Sequence, residues 1–194
     1  MIPFNHLGPI FKLFSGGIYS APVRRELHAL LEDLPSGARV LDLGAGTATL
    51  STLARERRPD LVYLAIDEAP GMLRYAPSHF LRTAGTAERL PLRDASLSAV
   101  VMGEAIHHFE NPDGALDEIA RVMEPGGRLF IFDFDPSTWL GGFICRAERL
   151  LGEPGNFYPP ADLCRMLEQR GFECRIGESG WRYVIRARRV TAEE

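Results

Sequence analysis

The sequence predicts an α/β protein with a doubly wound, mostly parallel sheet, and three observations predict it. Short apolar runs at residues 40–43, 61–66, 97–102 and 128–132 alternate with segments whose apolar residues recur at helical spacing. The run at 61–66 is apolar throughout, as a strand covered by helices on both faces requires. The first run ends in Asp42-Leu43-Gly44-Ala45-Gly46, and helical spacing resumes just beyond it. That order reads as strand, tight bend and helix N-terminus, because glycine permits angles and close approach that a Cβ blocks.

Taken in order, residues 1–20 are aromatic and turn-rich, with Phe4, Phe11, Phe14 and Tyr19 among Gly8-Pro9 and Gly16-Gly17. They read either as a lid over a cleft or as a terminal arm. A helix from about Pro22 sets Leu27, Leu30, Leu31 and Leu34 on one face and ends at Pro35-Ser36-Gly37. The helix after the bend carries Leu50, Leu53 and Ala54, and Pro59 stops it. Arg55, Arg57 and Arg58 at its end are expected to complement the helix dipole and face solvent. Strand 61–66 is followed by Asp67 and a short segment near Pro70, and strand 97–102 leads into Gly103-Glu104-Ala105-Ile106-His107-His108-Phe109.

Asn111 and Pro112 read as N-cap and first residue of a helix burying Leu116, Ile119, Ala120 and Met123. Pro125-Gly126-Gly127 turns the chain into strand 128–132. Residues 136–160 read as an irregular insertion containing Trp139, Gly141-Gly142, Phe143 and Tyr158, expected to wall a substrate pocket. A helix from about Ala161 buries Leu163, Met166 and Leu167 and is capped by Gly171. Residues 172–176 and 181–188 form a strand pair joined by Gly177-Glu178-Ser179-Gly180.

At 194 residues the chain is read as one domain, 1–194, long enough to bury a substantial core. A net charge of −4 with no basic run argues against a nucleic-acid partner. Three scattered cysteines without metal-ligand spacing read as reduced thiols of a cytoplasmic protein. No segment approaches the ~20 apolar residues that a membrane span needs. Oligomeric state is not legible.

The bend suits a nucleotide-like cofactor, since the helix beyond it points free N–H groups into the crevice. Asp42 decides which one. A carboxylate there repels a pyrophosphate and attracts a cationic amine. The dinucleotide fingerprint also wants Gly or Ala where this chain has Thr49, so NAD and FAD are disfavoured. At the tip of the second strand, Asp67 is placed either to accept from a ribose diol or to cap the next helix.

These residues resemble the first motif of class I S-adenosylmethionine-dependent methyltransferases, matched at Asp42, Gly44 and Gly46, with Ala48 in the place of a third glycine. Asp67-Glu68-Ala69-Pro70-Gly71-Met72-Leu73 resembles the second motif, and Gly85-Thr86-Ala87-Glu88 the segment that closes over the adenine. Val122-Met123-Glu124-Pro125-Gly126-Gly127 is similar to the family's turn before the fifth strand. The opening residues resemble the ubiquinone/menaquinone C-methyltransferase group, although Phe4-Asn5 and Phe11-Lys12 replace that group's Phe-Asp and Tyr-Asp.

The resemblance implies a Rossmann-like methyltransferase fold of seven strands with an antiparallel last strand. It implies S-adenosylmethionine as cofactor, held by Asp42, Gly44, Ala45, Gly46, Asp67, Glu68, Met72, Thr86, Ala87, Glu88 and Glu104. Many relatives carry Asp at position 86, so Thr86 or Glu88 would accept from the adenine amino group here. Glu104 is expected near the cofactor's methionine end.

His107 and His108 are the candidates for a general base, with His108 read first as a structural histidine bonding the backbone at the turn. Glu104, His107 and His108 also resemble a Glu-x-x-Glu-His metal site of other methyltransferases, but no further ligand pair stands out and no metal is expected. The expected activity is methyl transfer to a small, fairly apolar acceptor molecule. The alternative is a catalytically silent S-adenosylmethionine-binding regulator or partner subunit of the same fold.

Overall fold

The computed structural model describes residues 18–150 and 155–190. Most of the arm read as a lid, residues 1–17, therefore lies outside the described residues. The elements run α1 (Ala21–Leu31), β1 (Arg39–Leu43), α2 (Thr49–Arg57), β2 (Val62–Asp67), α3 (Pro70–Leu73), β3 (Leu81–Ala84) and β4 (Leu97–Gly103). A 3₁₀ turn (Ile106–His108) leads to α4 (Pro112–Val122), β5 (Met123–Phe134), α5 (Trp139–Leu150), α6 (Pro160–Glu168), β6 (Phe172–Ser179) and β7 (Arg182–Arg189).

The seven strands form one sheet in the order β3-β2-β1-β4-β5-β7-β6. Pairing is parallel from β3 through β5, and β7 runs antiparallel to both β5 and β6. The doubly wound sheet with its antiparallel last strand is thus the one the sequence predicts. The order of the strands reverses between β1 and β4, which is where such sheets open a crevice at their carboxyl ends.

Strand periodicity divides the core in two. Leu41, Leu43, Val100, Met102, Leu129, Ile131, Tyr183 and Ile185 pack on one face, with Leu116 and Ile119 of α4 and Leu163 and Leu167 of α6. Val40, Ala99, Val101, Phe130, Phe132 and Val184 face the other way, against Val23, Leu27 and Leu31 of α1 and Leu50 and Leu53 of α2. The parity that sorts this core also decides which strand-tip side chains meet in the crevice.

Asn111 caps α4 as its sequence indicates, accepting from the Gly114 N–H with Pro112 in the first turn. Met123 is buried but lies in β5, where pairing jumps from Leu97–Met123 to Ala99–Arg128 and leaves the Pro-Gly-Gly residues as a bulge. Leu34 lies beyond the end of α1 and only packs at the margin of the core.

Three expectations are corrected. Arg58 does not simply face solvent: its guanidinium donates to the carbonyls of Leu31, Glu32 and Leu34 and to Asp60, tying the end of α1 to the end of α2. Residues 139–150 are a helix rather than irregular. The glycine pair, which reads as a breaker, serves close packing instead, since a Cβ on Gly141 would lie 2.0 Å from the Asp135 carbonyl. Thr138 caps the helix by accepting from the Gly141 N–H. The last hairpin also pairs as far as Ser179 with Arg182, so Gly180, at φ 69°, makes the turn. No helix among the described residues is long and apolar enough to cross a membrane.

Candidate functional site: the crevice at the carboxyl ends of β1, β2 and β4

The bend after β1 takes positive φ at Gly44 (66°), Gly46 (54°) and Ala48 (57°). Gly44 is required on a second count, because a Cβ there would stand 2.5 Å from the Cβ of Ala105, just beyond β4. At Gly46 a Cβ would meet only the Met72 methyl, at 3.5 Å, so this glycine lines open space. Ala45 is buried and donates its N–H to the Ile66 carbonyl, as Gly44 does, which seats the bend on the end of β2. Ala48 holds the left-handed conformation that glycine would adopt more cheaply.

Asp42 is only 2% exposed and lies beneath the bend. Its carboxylate accepts from the Ser51 N–H, one of the free donors in the first turn of α2. Burial pushes its carboxyl from 3.8 up to about 7; bonds from Ser51 oppose the shift and the charge of Asp67 adds to it. This acid is therefore buried beneath the bend and held by a helix N-terminus.

Asp67 ties the bend to the start of α3. One oxygen accepts from the Ala69 N–H at the start of α3 and the other from the Gly46 N–H, each at 2.7 Å. Each oxygen keeps a lone pair for a further donor. Met72 is buried beside Gly46, and Ala87 is buried, while Thr86 and Glu68 are exposed. Glu88 accepts from the Asn111 N–H and so is bound to the entry of α4. The Glu68 carboxyl is raised, first by desolvation and then by Glu88, Glu110 and Asp67.

On the β4 side, Glu104 takes φ 52° and donates its N–H to the Phe132 carbonyl. Its carboxylate pairs with Arg182 Nε at 2.7 Å. The Arg182 guanidinium lies 3.8 Å over the Trp181 ring and within 5.4 Å of the rings of Phe132 and Phe134. Tyr19 packs on Phe132, and its hydroxyl fills the space a Cβ on Gly103 would need. Burial, then the charges of Glu104 and Asp42, raise the Tyr19 hydroxyl well above its ordinary value.

His107 faces the opposite side of the sheet. It is 1% exposed, bonds Asp133 through Nδ1 at 2.7 Å and stacks on Phe157 with centroids 4.6 Å apart. His108 is half-buried, with its ring 4.0 Å from that of His107. Asn156 holds this turn by bonds to the carbonyls of His107 and Phe109. Glu104 and His107 thus serve opposite faces, and no group of three or more His, Cys, Asp or Glu among the described residues is arranged to hold a metal.

The inner aromatic wall beyond β5 is Phe134, Phe157 and Trp181 with Cys145 and Ile144 of α5. Trp139 and Phe143, read as part of the pocket wall, are 86% and 61% exposed. Tyr158 packs at the edge of the core instead. A separate surface cleft of about 240 Å³, lined by Arg55, Tyr63, His79, Phe80 and Leu81, lies at the amino ends of β2 and β3 and away from the crevice.

Sequence reasoning missed Asp133 and Arg182 and saw Tyr19 only as one aromatic of the arm. Asp133 was findable by the signal that singled out Asp42 and Asp67, an acid at the carboxyl end of an apolar strand. Arg182 carries no such signal, because its place beside Glu104 depends on the β5–β7 pairing of Phe134 with Arg182.

Fold and site together define a Rossmann-like protein whose glycine bend is built over a buried acid rather than for a pyrophosphate. A methyltransferase domain family model matches residues 41–131. The demethylmenaquinone methyltransferase of Thermus thermophilus is 31% identical over 206 residues, covering 89% of this chain and 92% of that protein. The malonyl-[acyl-carrier protein] O-methyltransferase of Methylococcus capsulatus is 41% identical over 110 residues, covering 54% of this chain and 40% of that one.

The chain spans 40% of the length of the first curated relatives it matches. In fold it is similar to a chain of the complex between the Haloferax volcanii Trm112 methyltransferase activator and a methyltransferase. That likeness has a TM-score of 0.75 at 16% identity, covering 97% of this chain and 98% of the other. The chain belongs to the S-adenosylmethionine-dependent methyltransferases.

Proposed function

We propose that the protein binds S-adenosylmethionine in the crevice and transfers its methyl group to a small, fairly apolar acceptor. The observation that carries this reading is the open face of Gly46, flanked by Asp67 and Met72 and underlain by the buried Asp42. The residues fit the cofactor: Asp67 offers lone pairs to a ribose diol, and Met72 and Ala87 offer an apolar floor to an adenine. Asp42 offers negative charge to an ammonium above the bend. The bound cofactor supplies an electrophilic methyl carbon on a sulfonium that is also the leaving group.

The protein's own task is then to orient, to exclude water and to hold charge. Gly44 lets the loop carrying Glu104 close against the bend, and Glu104 with Asp42 sets two carboxylates around the end of the crevice where positive charge would lie. His107 is buried between Asp133 and Phe157, with the ring of His108 beside it. Its geometry favours positioning of the turn over proton transfer. The Thermus relative's demethylmenaquinone is consistent with an apolar acceptor.

Calorimetric titration with S-adenosylhomocysteine tests the cofactor. Micromolar binding that Asp67→Ala weakens at least tenfold is expected, and no binding at millimolar ligand ends the reading. Binding without turnover across an acceptor panel would instead favour a catalytically silent member of the family.

A further inference from the structure

Strand order sets a direction along the crevice. Asp67 marks the tip of β2, the bend marks β1, and Glu104 leaves β4, so a cofactor held there runs from β2 towards β4. The next strands are β5 and β7, and parity puts Phe132, Phe134 and Arg182 on the same face as Asp42. What Arg182 presents is therefore presented to the molecule beyond the cofactor.

Arg182 is built as a fixed fork. Its guanidinium carbon sits 3.8 Å over the Trp181 ring, Phe132 and Phe134 flank it, and Nε forms an ion pair with Glu104. The side chain keeps 16% of its surface exposed, and its two terminal nitrogens make no hydrogen bond among the described residues. A cation placed among three rings costs desolvation that stacking and one carboxylate only partly offset. Its remaining donors lie in one plane, the geometry that grips an oxyanion.

We propose that Arg182 is the acceptor-binding residue of the site and that the acceptor carries an oxyanion, at or conjugated to the atom that is methylated. This rests on the cofactor reading above. The apolar body of such an acceptor lies against Phe134 and Trp181. Its lone pair forms the new bond to the methyl carbon as the carbon–sulfur bond breaks and that pair stays on sulfur. The acceptor's negative charge cancels the sulfonium's positive charge, so no side chain need take a proton during the transfer. That agrees with a His107 whose Nδ1 is already bound to Asp133.

The test uses 2-naphthoate and its neutral counterpart 2-naphthamide as probes, titrated at pH 7.5 into the wild type, Arg182→Gln and Arg182→Lys, each with and without S-adenosylhomocysteine. The wild type is expected to prefer naphthoate at least tenfold. Arg182→Gln should lose that preference with naphthamide affinity unchanged, and Arg182→Lys should keep part of it. Affinity for S-adenosylhomocysteine should be the same in the wild type and in Arg182→Lys, which keeps a cation beside Glu104.

Equal binding of the two probes by the wild type overturns the proposal, as does a preference that survives in Arg182→Gln. A drop in S-adenosylhomocysteine affinity in Arg182→Lys also overturns it, since the fork would then grip the cofactor's own carboxylate. If the wild type does not bind S-adenosylhomocysteine at all, the cofactor reading fails by itself, and the cofactor-free titrations still report on Arg182.

Discussion

Asp42 folds at a pH-dependent cost whose sign is fixed by its surroundings. The unfolded chain releases this proton near 3.8 and the folded protein near 7, so between these values the folded state binds more protons. Stability should therefore fall as pH rises from about 4 to 7 and stay low above it, by at most ~4 kcal/mol at ~1.36 kcal/mol per unit. Asp42→Asn, which still accepts from the Ser51 N–H, should melt higher than the wild type at pH 8 and lose that slope.

A bound ammonium would reverse the shift. S-adenosylhomocysteine affinity should weaken below pH 7, and binding at pH 6.5 should release protons, seen as a dependence of its heat on the buffer's ionisation enthalpy. The two glycines of the bend should separate by mechanism. Gly44→Ala meets Ala105 and a positive φ and should destabilise by more than ~2 kcal/mol. Gly46→Ala meets only the φ cost, ~1 kcal/mol, but should lower S-adenosylhomocysteine affinity at least tenfold. Both the acid and the glycines were legible because their chemistry is local to one strand and one bend.

Elements were legible where a cap or stop residue agreed with the periodicity, as at Asn111-Pro112 and Pro59. The Thr138 cap was masked by a glycine pair that packs closely on the turn before α5 instead of breaking the helix. Thr138→Val should cost ~1 kcal/mol and speed amide exchange in the first turn of α5 without altering cofactor affinity. Arg58 shows the same limit from another side. Its three carbonyl partners belong to another helix end, which no pattern around residue 58 reports. Arg58→Met keeps the stem and removes the donors, so it should lower the melting temperature by several degrees through the end of α1, at ~1 kcal/mol per lost bond.

At the scale of the whole molecule, the alternation of strands and helices gave the sheet, whereas the crevice's far wall came only with pairing between residues far apart in the chain, Phe134 with Arg182 above all. A ligand confined to the folded state should stabilise the whole sheet as one unit. S-adenosylhomocysteine at a hundred times its dissociation constant should contribute ~2.7 kcal/mol, a rise of roughly 5–10 °C in melting temperature.

The touch between Gly44 and Ala105 bears on how that ligand is admitted. The two sides of the opening are already packed together at its base, where a Cβ on residue 44 would stand 2.5 Å from the Ala105 Cβ. Molecules should therefore be sorted at the mouth by thickness. Enlarging residue 105 would pry the sides apart and loosen that sorting before it touched any group that bonds a ligand.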